Sequence, residues 1–161
     1  MMTKENYADF LAKVRELTGI DSLRPNESGL ASVRVDDAYN VNLQFVEATG
    51  KILLFVEVAE LPPDAPRAIY RDLLVGGLFG KETSGGSFTI EPDTETVIYN
   101  YFFDLDPATA DPEEFVDAIE KILQLCDMWA ERILGKLHEA GMSEDVNDVF
   151  GHPLGHTIFR A

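Results

Sequence analysis

One cysteine, Cys126, is all the thiol chemistry the chain has. No disulfide can close within it, and a zinc site built on cysteines is excluded. Histidine is nearly as scarce, with only His138, His152 and His156. His152 and His156 stand four apart, but Pro153 and Gly155 break the helical face that would present both to a metal, so no metal site is expected. Long apolar runs are missing too. Nothing approaches the roughly 18 apolar residues of a membrane span, and the strongest stretch, 52–56, suits a buried strand. The first ten residues carry Lys4 and Glu5 and no apolar core segment, so no secretory signal is expected. Positive charge is in deficit: 13 Lys and Arg face 29 Asp and Glu, for a net charge of −16. Such a surface repels phosphate backbones and anionic lipid headgroups, which disfavours nucleic acid and membrane as partners. A basic or amphipathic polypeptide fits it, and a reducing cytoplasm is the expected location.

Catalytic signatures are absent as well. No G-x-S-x-G elbow occurs, and Cys126 falls on the apolar side of a helical pattern, where a thiol is packing material. The string Gly76-Gly77-Leu78-Phe79-Gly80-Lys81-Glu82-Thr83 is one residue short of a phosphate-binding loop, and Glu82 stands where a hydroxyl is required. These glycines read instead as a helix end and a turn. No calcium-loop series of acids is present. The acidic pairs, such as Asp36 and Asp37 or Glu113 and Glu114, sit at element ends, where caps and solvated faces are expected. A small hydrolase using paired carboxylates remains the enzymatic alternative, but it requires two acids converging in a deep cleft, and nothing selects a pair. No catalytic residue and no cofactor is expected.

What is present is a regular alternation of patterns. Tyr7, Phe10, Leu11, Val14 and Leu17 predict an amphipathic helix over 5–18, stopped by Gly19. Strands are expected at 30–35, 39–46 and 51–60, and their close spacing favours an antiparallel meander. The third is apolar on both faces, as a covered central strand is. A second helix is predicted over 64–79, capped by Asp64, with Ile69, Tyr70, Leu73, Leu74 and Leu78 as its apolar stripe. Two more strands follow at 87–91 and 96–105. Asp111-Pro112 then opens a long helix whose stripe includes Phe115, Ile119, Ile122, Cys126, Trp129, Ile133 and Leu137. The fold class is α+β, a two-layer sandwich with a five-stranded, mainly antiparallel sheet in the order α-β-β-β-α-β-β-α. One domain is expected over 1–141, with a tail of unassigned role over 142–161.

This order of elements, the string Leu73-Leu74-Val75-Gly76-Gly77-Leu78-Phe79-Gly80, the following Thr83-Ser84-Gly85-Gly86-Ser87-Phe88-Thr89-Ile90-Glu91-Pro92 and the last helix with Trp129 inside it resemble the class I type III secretion chaperones of the Tir chaperone (CesT-like) family. The resemblance covers about residues 5–138. It implies a homodimer that binds the N-terminal part of a secreted effector in extended form and consumes no nucleotide. It also implies a partner-binding groove lined by Phe10, Val14, Val33 and Val35, and a dimer helix carrying Ile69, Leu73, Leu74 and Leu78. The competing assignment for each of the eight is a place in the monomer's own core. A chaperone-fold protein-binding or regulatory domain unconnected with secretion is the alternative function.

Overall fold

In the computed structural model, which describes residues 1–142, helix α1 (Lys4–Thr18) begins at Thr3. The Thr3 hydroxyl accepts the Asn6 N–H, and the Asn6 side chain accepts the Thr3 N–H, so two amides without helical partners are satisfied reciprocally. Gly19, at φ 72°, ends the helix in the left-handed region. Tyr7, Phe10, Leu11 and Val14 face inward as the spacing predicts. Leu17 does not; it is exposed, and Thr18 takes the inward position. The Thr18 hydroxyl donates to the Val14 carbonyl at 2.8 Å, so its burial strands no donor.

Strands β1 (Leu30–Val35), β2 (Tyr39–Val46) and β3 (Lys51–Glu60) form the expected meander. After helix α2 (Arg67–Gly76) come β4 (Ser87–Glu91) and β5 (Thr96–Phe103), the latter ending two residues before the predicted boundary. All four pairings are antiparallel, and the order across the sheet is β1-β2-β3-β5-β4. β1 and β4 are therefore the edges. Val41, Val56 and Tyr99 share one register line on one face, and so do Phe45, Ile52 and Phe103; all six are buried. Among the described residues the opposite face stays open. Leu53, Phe55 and Ile98 are only half-buried and Phe102 is exposed, so β3 is covered on one side and not on both.

The covering layer is built around α3 (Pro112–Glu139). Asp111 accepts the Glu113 N–H at 2.8 Å and Pro112 fills the first turn, as the sequence predicts. Phe115 joins the layers, with its ring 5.1 Å from Phe10 of α1 and 4.8 Å from Phe103 of β5. Further along, Trp129 is completely buried. Apart from Met142, the expected tail, with His152 and His156, lies outside the described residues.

Cys126 is also sealed in this layer, where burial first and the Asp127 charge second raise its thiol pKa well above the ordinary range. Only the thiolate attacks electrophiles. The folded chain is expected to resist iodoacetamide at mildly alkaline pH, and the urea-unfolded chain to be alkylated once. Rapid labelling of the native chain, counted by mass spectrometry, would contradict this placement.

Candidate functional site

Helix α2 has two apolar faces, and only one is covered. Ile69 and Leu73, one turn apart, point inward together with Gly76. A Cβ at Gly76 would stand 2.4 Å from the Trp129 ring carbons, so only glycine lets α2 lie this close to α3. Leu74 and Val75 occupy the opposite face and are 78% and 52% exposed.

The helix also departs from its predicted limits at both ends. Asp64 does not cap it; the cap position is Pro66, in extended backbone, and no side chain caps there. Residues 62–65 form a separate turn closed by the Ala65 N–H to the Pro62 carbonyl. At the other end the helix stops at Gly76, and Leu78–Gly80 form a 3-10 turn in which Phe79 adopts φ 55°. Left-handed backbone at a bulky residue costs of order 1–3 kcal/mol and marks a place to look for function. The turn holds its shape because Gly80, itself at φ 67°, packs against Gly85, whose N–H donates to the Gly80 carbonyl. Leu78 and Phe79 are thereby left 60% and 86% exposed beside Leu74 and Val75.

A polar latch fixes this unit to the body. Arg132 of α3 reaches Asp72 of α2 at 2.6 Å and Glu82 at 3.4 Å, with its guanidinium 4.4 Å from the centre of the Trp129 ring. The Trp129 indole N–H donates to the Glu82 carbonyl at 2.9 Å, and the Tyr99 hydroxyl to the Thr83 carbonyl at 2.7 Å. The Asp72 hydrogen bond is the main cause that holds the Arg132 pKa above its ordinary value, so the latch stays charged. Between α2 and edge strand β4 runs an open apolar groove of about 140 Å³, lined by Tyr70, Leu73, Leu74, Phe88, Thr89 and Ile90. The Tyr70 hydroxyl donates to Glu95, and burial together with that carboxylate raises its pKa.

Of the eight residues singled out from sequence, six lie inside the monomer. Phe10, Val14, Val33 and Val35 are core side chains, so the free chain offers none of them as an accessible groove wall. Val33 and Val35 lie on β1, an edge strand that among the described residues pairs only with β2. Ile69 and Leu73 hold α2 to the body, whereas Leu74 and Leu78 face outward. Hydrophobic spacing does not single out Val75, Phe79 or Arg132 as site residues. The exposure of Phe79 depends on a positive φ that hydrophobic spacing does not register, and the Arg132 latch joins residues 50 and 60 positions apart. Among the described residues, no group of three or more His, Cys, Asp or Glu gathers where a metal could bind.

The sequence profile of the Tir chaperone protein (CesT) family matches residues 9–130. A protein of Chlamydia pneumoniae is 28% identical over 135 residues, covering 82% of this chain and 95% of its own. Among solved structures, a chain of the ExsC–ExsE complex superposes with a TM-score of 0.69 at 21% identity, over 81% of this chain and 96% of its own. The Yersinia pestis type III secretion chaperone SycH, solved with a stable fragment of YscM2, gives a TM-score of 0.59 at 15% identity, over 76% of this chain and 98% of the other. At these identities the structural matches establish the sandwich fold.

Proposed function

The chain belongs to the Tir chaperone protein (CesT) family, and from that premise we propose that it is a non-enzymatic, homodimeric chaperone for a type III secreted effector. The observation that carries this reading is the apolar face of α2 and its following turn, left in water on a protein that is otherwise strongly acidic. Contiguous apolar surface of this kind marks an interaction site.

In this reading α2 pairs with its copy, Ile69 and Leu73 anchoring the helix from inside while Leu74 and Leu78 make the contact. The client is the N-terminal part of the effector, held extended along the side of the fold formed by α1 and β1. Its backbone adds to the free edge of β1, a mode in which main-chain hydrogen bonds supply affinity and side-chain pockets supply selectivity. Phe10, Val14, Val33 and Val35 support that track from within the core. The chaperone works in the cytoplasm with no cofactor.

Co-expression with the neighbouring open reading frames, followed by native mass measurement of the purified complex, tests this. Two copies of the chain with one effector's N-terminal region is the expected stoichiometry. A dimer that never retains a passenger would shift the reading to a protein-binding domain unconnected with secretion. A monomer would remove the dimer from it.

A further inference from the structure

Resting on the homodimer reading above, we propose that Phe79 is the knob of that dimer and that it inserts into the groove between α2 and β4 of a second copy. Two features meet here that the monomer does not use. Phe79 stands 86% exposed on strained backbone, and an apolar groove of about 140 Å³ lies open nearby. An apolar cavity of about 150 Å³ is large enough to take up benzene. A phenyl ring therefore matches the groove in size and chemistry.

Twofold symmetry supplies the geometry. In an isologous contact, if residue i meets residue j, then j meets i. An antiparallel pairing of α2 with its copy, centred between Leu74 and Val75, brings the turn that follows α2, with Phe79, to the first half of the second copy's α2, where Tyr70 lines the groove. The same pairing brings Glu82, just past that turn, toward Arg67 at the start of the second copy's α2. That pair is the charge complementarity of the contact. The segment from Arg67 to Lys81 carries Arg67, Arg71 and Lys81 against one acid, Asp72, which Arg132 already holds. In an isologous contact the strip faces its own copy, so only the neighbouring acid Glu82 can offset these cations. The Glu82 side chain remains half-exposed beside Arg132, within reach of a further cation. Phe79 and the groove are then filled twice, symmetrically, in one interface.

Phe79→Gly in the full chain separates this packing from the fold. Glycine accepts φ 55° without strain, so the melting temperature at fixed low protein concentration is expected to hold or rise. Loss of a central aromatic anchor is expected to weaken dimerisation about 30-fold or more by analytical ultracentrifugation. A register test accompanies it: Tyr70→Cys with Phe79→Cys in one chain is expected to cross-link efficiently with a short bismaleimide, and either single variant is not. A dimer unchanged by Phe79→Gly, or a double variant that links no better than the singles, overturns the knob and leaves the homodimer standing. A wild-type monomer overturns both.

Discussion

Trp129→Ala is expected to destabilise the chain by about 3–5 kcal/mol, the usual cost of removing a large buried aromatic. For a chain of this length each kcal/mol lowers the melting temperature by about 2–4 °C, so a fall of about 10 °C is expected by calorimetry. The residue joins three parts of the fold. Its ring packs edge-on against Phe88 of β4 at 4.9 Å, its face carries Arg132, and its N–H holds the Glu82 carbonyl. Trp129→Phe keeps the ring contact and gives up the N–H; its cost is expected near 1–2 kcal/mol, that of an unsatisfied buried acceptor with some lost packing. The contact with Gly76 yields a sharper test. Gly76→Ala in the wild type drives a methyl into the indole and destabilises, even though alanine favours helix by about 1 kcal/mol over glycine. In the Trp129→Ala background the methyl has space, so the same substitution is expected to stabilise. Additive effects of the two changes would show that the ring does not fix the approach of α2 to α3.

That contact also shows where legibility in the sequence ends. The strands were legible because one covered face imposes strict alternation: Tyr39, Val41, Leu43 and Phe45 are buried and the residues between them are not. The long helix was legible because its stripe is broad enough to be buried by a sheet, and Asp111-Pro112 marks its start. Helix α2 was not, because it is apolar on two sides for two reasons. Periodicity records Ile69, Leu73, Leu74 and Leu78 as one stripe, but which of them face the body depends on Gly76 against Trp129, a contact 53 positions apart. The same limit explains β3. Leu53 and Phe55 read as a covered face, yet among the described residues they are shielded only in part, beside Asn42, Gln44, Asn100 and Phe102. The four α1 and β1 residues show another limit: their side chains take the core places that were the competing assignment, and their part in a partner groove is a proposal.

The second large effect falls on association and not on folding. Leu74→Asp is expected to abolish the dimer, raising its dissociation constant about 100-fold or more, as loss of a central interface anchor does. Leu74 is 78% exposed in the single chain, so the substitution removes almost nothing from the core. Surface changes of this kind usually alter stability by less than about 0.5 kcal/mol, so the unfolding of the monomer should barely move. In the proposed dimer the position lies beside the twofold axis, where the new carboxylate would meet its own copy. Like charges brought together and stripped of water are strongly unfavourable, and each chain already carries a net charge of −16. Sedimentation velocity across a wide concentration range, paired with urea denaturation, separates the two effects. Concentration-independent monomer with an unchanged urea midpoint at high dilution is the expected pair of results. A dimer as tight as the wild type would show that the exposed face of α2 is not where two copies meet. It would leave that apolar face for the client, and the edges of β1 and β4, unpaired among the described residues, as the surfaces on which the subunits join.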